Sequence, residues 1–213
     1  MTDLQQSWQR MWPGVGASGD GAPTFAELVH RYSEPHRKYH TLQHLEECIS
    51  CLEASSHLAQ RPAEVEAALW FHDAIYDLGR TDNEEQSGNW AHAALSSAGV
   101  PDDVAARVET LVRATKHTSL PASQDEQLLV DIDLSILGAD EQRFGEYEVQ
   151  IRDEYSIVAE PIFRQRRRAI LQSFLDRPFV YGTAHFRSAL ETRARFNLSN
   201  AIAKIAAPND THS

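Results

Sequence analysis

The 213-residue sequence predicts an all-α, single-domain protein, and three observations carry that expectation. From Thr24 onward the apolar residues recur at helical spacing. The breaks between periodic stretches are short and rich in Gly, Pro and Ser, as in Gly99-Val100-Pro101 and Ser119-Leu120-Pro121. No stretch alternates apolar and polar residues long enough to read as a strand. Hydrophobic residues at 42% and charged residues at 24% exclude a disordered or fibrous chain. A chain of this length buries a core without disulfides or a structural metal.

The elements follow in order. Leu4 to Trp12 is a short amphipathic start, and Pro13–Pro23 (PGVGASGDGAP) reads as a flexible loop. Thr24, with Glu27 three residues on, reads as a capping box in which each side chain satisfies an orphaned backbone N–H. A helix from about Thr41 to Leu58 has Leu42, Leu45, Ile49 and Leu52 on its apolar side. Pro62 suits the first turn of the next, with Val65, Ala68, Leu69 and Ile75 inward. Further helices are expected over roughly 82–98, 102–116, 125–138, 141–157, 160–175 and 184–206. No repeat divides the chain, so the expected organisation is a helix and loop over 1–23, a helical domain over 24–207 and a disordered tail over 208–213.

Composition narrows the function classes. A net charge of −11 and the lack of a long Lys/Arg run before residue 164 argue against a nucleic-acid polymer as partner. Arg164, Arg166, Arg167 and Arg168 would spread over several faces of a helix, as a solvated surface does, or less simply form an anion site. The longest apolar run, Ala67 to Phe71, is too short for a bilayer, and MTDLQQSWQR lacks the features of a signal peptide, so a cytoplasmic protein is expected. Cys48 and Cys51, one turn apart, read as core or helix-flank residues.

The chemistry-bearing residues fall in three places. His72-Asp73, inside AALWFHDAIYD, sits on or beside the buried side of its helix. A buried carboxylate needs a partner, so Asp73 pairs with an Arg, lies at the bundle rim, or ligates a metal. His40 and His44 in YHTLQHLEE share a helix face by i, i+4 spacing. His44 lies 28 residues before His72, room for a helix and an antiparallel return. Asp131 and Asp133 in LLVDIDLSILG flank an apolar stripe on opposite sides. Two imidazoles and two carboxylates make a ligand set for Mn²⁺, Fe²⁺, Mg²⁺, Ni²⁺ or Zn²⁺.

The order of His44, then His72-Asp73, then Asp131 resembles the HD-domain metal-dependent phosphohydrolase superfamily. The blocks YHTLQH, WFHDAIYD, DNEEQS, ATKHT, DIDLSILG, IRDEY and ARFNL look like those of a bacterial group of predicted HD phosphohydrolases, and they run from about residue 36 to 198. The resemblance implies an orthogonal helical bundle of the HD type holding one divalent ion on His44, His72, Asp73 and one aspartate of the pair, with Asp131 favoured over Asp133. It implies a phosphomonoesterase or phosphodiesterase acting on a small phosphorylated molecule through a metal-bound water, with Asp73 and Glu84 as candidate catalytic residues. His40, Lys116, His117, Asp133 and Arg152 are candidates for contacting substrate. Each has a plainer reading: helix capping around Asp82 for Glu84, a helix-dipole cation for Lys116, and pairing with Glu148 or Glu154 for Arg152. Two other classes stand beside this one: an HD-type di-iron oxygenase drawing on His40 and His117, and a non-catalytic metal- or nucleotide-binding domain.

Overall fold

The computed structural model describes residues 3–206, and among them there are ten α-helices, two short 3₁₀ turns and no strand. The chain divides into two compact units, Met1–Asp133 and Leu134–Ser213. The expected tail over 208–213 lies outside the described residues. No helix among them is long and apolar enough to cross a membrane.

The first unit carries α1 (Leu4–Gly14), α2 (Ala22–Tyr32), α3 (Leu42–Ser55), α4 (Pro62–Phe71), α5 (Asn83–Ser97), α6 (Asp102–Ala114) and α7 (Gln124–Asp133). Its centre is α4, whose Val65, Ala67, Ala68, Leu69, Trp70 and Phe71 are wholly buried. A helix apolar on every side has to be surrounded, and α1, α3, α5, α6 and α7 all pack on it. The two glutamates of α4 are buried but paired. Glu66 accepts from Ser7 and Arg10, and Glu64 takes a two-pronged contact from Arg107 at 2.8 Å on each arm. From α7, the buried Asp125 carboxylate accepts the N–H groups of Gln60 and Arg61, which caps the start of α4. The residues 1–23 belong to this unit: Trp8 stacks on Trp12 at 4.7 Å and meets Trp70 edge-on at 5.2 Å.

Boundaries depart from expectation in several places, among them the end of α4 at Phe71, short of the Ile75 expected on its inward face. Helix α2 starts at Ala22, not after a Thr24 cap, because Asp20 accepts the Ala22 N–H and Pro23 suits the first turn. Gly21 before it has φ +63°, and a Cβ there would meet the Trp12 ring at 2.6 Å. The expected helix over 125–138 is α-helical only to Asp133 and tightens into a 3₁₀ turn over Leu134–Gly138. Pro13, assigned to the loop, lies inside the last turn of α1.

The second unit holds α8 (Glu141–Glu154), α9 (Glu160–Leu175) and α10 (Ala184–Ala206). Asn197 donates to the carbonyls of Leu137 and Ala139, and the Tyr181 hydroxyl donates to that of Leu134. Of the arginine run, Arg167 alone turns inward, onto Glu148 and the Tyr147 ring, while Arg166 and Arg168 are exposed. Arg152 pairs with Glu160, not with the expected Glu148 or Glu154, donates to the carbonyls of Tyr155 and Val158, and packs on Phe163, which closes the turn between α8 and α9.

Candidate metal centre

Three helices of the first unit deliver four side chains to one point. His44 stands in the first turn of α3, His72 at the carboxyl end of α4, Asp73 directly after it, and Asp133 on the last residue of α7. His72 Nδ1 is 2.8 Å from the Leu69 carbonyl, which takes the ring's N–H and leaves Nε2 facing the cluster. His44 Nε2 and His72 Nε2 are 3.1 Å apart. Asp133 Oδ1 lies 3.3 Å from the first and 3.7 Å from the second. Asp73 Oδ2 lies 3.0 Å from His72 Nε2 and 3.6 Å from His44 Nε2.

These separations have a simple meaning. Donor atoms bound at about 2.0–2.2 Å to one ion stand about 3.0–3.5 Å apart in octahedral or tetrahedral arrangement. The nitrogen–nitrogen and nitrogen–oxygen separations of 3.0–3.7 Å therefore match those of donors around one divalent cation. The buried group of His44, Cys48, His72 and Asp133 could hold a metal ion, its donor atoms all lying within 4.8 Å of one another. Cys48, read from sequence as a core residue, comes to the cluster because i, i+4 spacing places it on the face of His44. Its Sγ is 3.8 Å from both His44 ring nitrogens. Equal distances set the sulfur over the imidazole face, away from the Nε2 lone pair, so in this rotamer the thiol packs the ligand histidine.

The two carboxylates make the pocket favour positive charge, so that a proton on His72 competes with any metal ion. Burial opposes a charge on His72, yet Asp73 and then Asp133 raise its pKa to about 9. Burial likewise works against the Asp73 and Asp133 charges, but His72 for the first and the hydrogen bonds from His117 and His44 for the second hold both below the usual carboxylate range. The Cys48 thiol moves the other way, pushed up by burial and by Asp133.

Asp133 reaches both imidazoles, where the resemblance favoured Asp131 as the ligand. The two lie about 200° apart around α7, and Asp131 is wholly buried. The other oxygen of Asp133 is 3.0 Å from His117 Nε2. His117 follows α6 with φ +56°, a left-handed conformation that costs a non-glycine residue roughly 1 kcal/mol or more. His40 stacks on Tyr76 with ring centres 4.2 Å apart and stands 5.9 Å from His44.

Two further candidates, Lys116 and Glu84, lie nearby. Lys116 Nζ donates to the Thr81 carbonyl at 2.9 Å, tying the end of α6 to the loop before α5. In DNEEQS, Asn83 exchanges hydrogen bonds with the backbone of Asp77, and Ser87 does the same with Ile75, so both clamp the segment that follows His72-Asp73. Glu84 is half-buried in the first turn of α5 and is not among the groups that meet at the cluster.

Arg37 went unnoticed in the sequence, where nothing periodic marks it. Its side chain is buried, donating to the carbonyls of Asp73 at 2.6 Å and of His40 and Ala74 at 3.2 Å, and to Glu34 at 3.1 Å. The guanidinium also lies over the rings of Tyr32 and Tyr76. No family model, curated protein or solved structure matches the chain, so the case for this site stands on its geometry.

Proposed function

We propose that the chain is a metal-dependent phosphohydrolase of the HD type, acting on a small phosphorylated molecule such as a nucleotide. The observation that supports this reading most is the meeting of His44, His72, Asp73 and Asp133 at coordination spacing, in the order the HD resemblance implies. A divalent ion bound there would supply Lewis acidity and a water of lowered pKa. The chain's own part is to hold the donors still. Leu69 fixes the His72 ring through Nδ1, His117 fixes the outer oxygen of Asp133, and Arg37 fixes the backbone of Asp73. Outer partners of this sort orient ligands and raise their basicity.

A second reading has an observation of its own. Asp133 turns one oxygen to the His44–His72 pair and the other to His117, as a carboxylate bridging two ions would. That arrangement suits a dinuclear centre, including the di-iron oxygenase alternative.

Metal analysis and a phosphatase screen on the same preparations separate the readings. His72→Ala and Asp73→Ala should each lose the metal and all phosphatase activity, and Asp133→Asn should lose the metal where Asp131→Asn retains it. His117→Ala should keep a single ion. Full metal content and turnover in His72→Ala would sink the assignment, while release of half the bound iron from His117→Ala, with no phosphatase activity in the parent, would favour the oxygenase.

A further inference from the structure

The second unit carries an unexplained face. Of seven exposed large apolar side chains among the described residues, six lie in this unit: Val149, Ile157, Ile162, Ile170, Phe179 and Phe196. Single exposed apolar residues need no explanation, but clustering does. Val149 of α8 and Phe196 of α10, 61% and 62% exposed, border one groove of about 390 Å³ between α8, α9 and α10. The groove is lined below by Phe144 and Phe163. Ile157 lies in the turn between α8 and α9, and Ile162 in the first turn of α9.

Gly145 adds a second observation. It lies inside α8, where glycine is the poorest helix former after proline. A Cβ on it would meet nothing within 4 Å, so packing within the chain does not require a glycine there. It lines the groove, where the absence of a side chain leaves room for one from outside.

Charge then says what fits. The groove is bordered by Glu141, Glu148 and Glu160 and by Arg152, Arg164 and Lys204, three of each sign on a chain of net charge −11. Most have partners: Arg152 pairs with Glu160, Glu148 with Arg167, and Arg164 donates to the Ile205 carbonyl. Glu141 and Lys204 enter no ion pair among the described residues and mark opposite ends. Glu141 opens α8 just after Ala139, whose carbonyl Asn197 holds, while Lys204 lies seven residues further along α10, about 10 Å away. A two-fold axis across the groove reverses its direction. It would set Glu141 of one copy against Lys204 of the other, twice, and cover the protruding Phe196 on the groove's border. A self-complementary patch of this kind is what an isologous dimer requires.

We propose that the groove between α8, α9 and α10 is a two-fold interface with a second copy of this chain. The inference is independent of the metal centre and of its chemistry.

Sedimentation velocity of the full chain over a concentration series, with charge-swap variants, tests it. The parent should sediment as a dimer in the micromolar range. Glu141→Lys and Lys204→Glu should each weaken the dimer about tenfold or more, since each replaces two attractions by two repulsions. The double variant should recover most of the loss, a rescue that a mere folding defect in either single variant would not give. Phe196→Ser should weaken the dimer while leaving the far-ultraviolet circular dichroism unchanged. A parent that stays monomeric at about 100 µM would overturn the proposal, as would a dimer indifferent to all three substitutions or a double variant no better than the singles.

Discussion

Arg37 donates to the carbonyls of His40, Asp73 and Ala74, so one side chain fixes both the approach to α3 and the turn that follows α4. Lysine keeps the charge but has no planar fork with which to reach three carbonyls. Arg37→Lys should therefore fold and yet bind Mn²⁺ about 10–100-fold more weakly, the usual cost of disturbing a ligand's support. Arg37→Met should lose about 3 kcal/mol in urea titration, because buried carbonyls and the Glu34 carboxylate are left without their donor. Wild-type metal affinity in Arg37→Lys would reduce the residue to a structural one. The sequence could not reveal it, because the work is done on backbone carbonyls that no side-chain pattern encodes. Asp133 was obscured for a different reason. Two aspartates flanking one stripe are equivalent by periodicity, and only the path of α7 decides between them. Cys48 was within reach of sequence reasoning, since four residues from His44 already sets it on the ligand face.

At the scale of elements, α5 and α6 are held by a histidine between two carboxylates. His92 Nδ1 lies 2.5 Å from Glu109 and Nε2 lies 3.1 Å from Asp102. The hydrogen bonds to Glu109 and then Asp102 raise its pKa in the folded state. The stabilisation it gives is thus complete below the unfolded-state pKa of about 6.5 and is lost as pH rises through the folded-state value. In melting curves, the advantage of the parent over His92→Gln should be larger at pH 6 than at pH 9; an equal advantage at both would show that the ring acts only by packing. Helix positions were legible almost throughout, since period, proline and glycine signals agree along most of the chain. Where they failed, a local competitor won: Asp20 took the cap expected of Thr24, and the helix over 125–138 tightened beyond Asp133. Lys116, a candidate for phosphate and also a helix-dipole cation, donates to the Thr81 carbonyl, a partner that no periodicity marks.

Charge is divided unevenly over the whole molecule. The first unit has 9 Lys and Arg against 21 Asp and Glu, a net −12, while the second has 11 against 10. All of the acidic excess thus belongs to the unit that holds the candidate metal centre, where it favours the approach of cations. A ligand that binds only the folded state stabilises it by about 2.7 kcal/mol at one hundred times its dissociation constant. For a chain of this size that is a rise of roughly 5–10 °C in melting temperature. Saturating Mn²⁺ should produce it in the parent and fail to do so in Asp133→Asn; equal shifts in both would mean that the ion binds elsewhere.

The burial of α4 on every side bears on time as well as on structure. A helix whose Val65, Ala67, Ala68, Leu69, Trp70 and Phe71 are all out of water can release its amide protons only when the surrounding helices part. His72 hangs from the end of that helix by its hydrogen bond to Leu69. In deuterium exchange the amides of Leu69 to Phe71 should be among the last to exchange, with or without added metal, and well behind those of the segment 77–82. The nitrogen that would meet the ion is then mounted on the slowest-opening part of its unit, so the cost of arranging it is met when the chain folds and not each time an ion arrives.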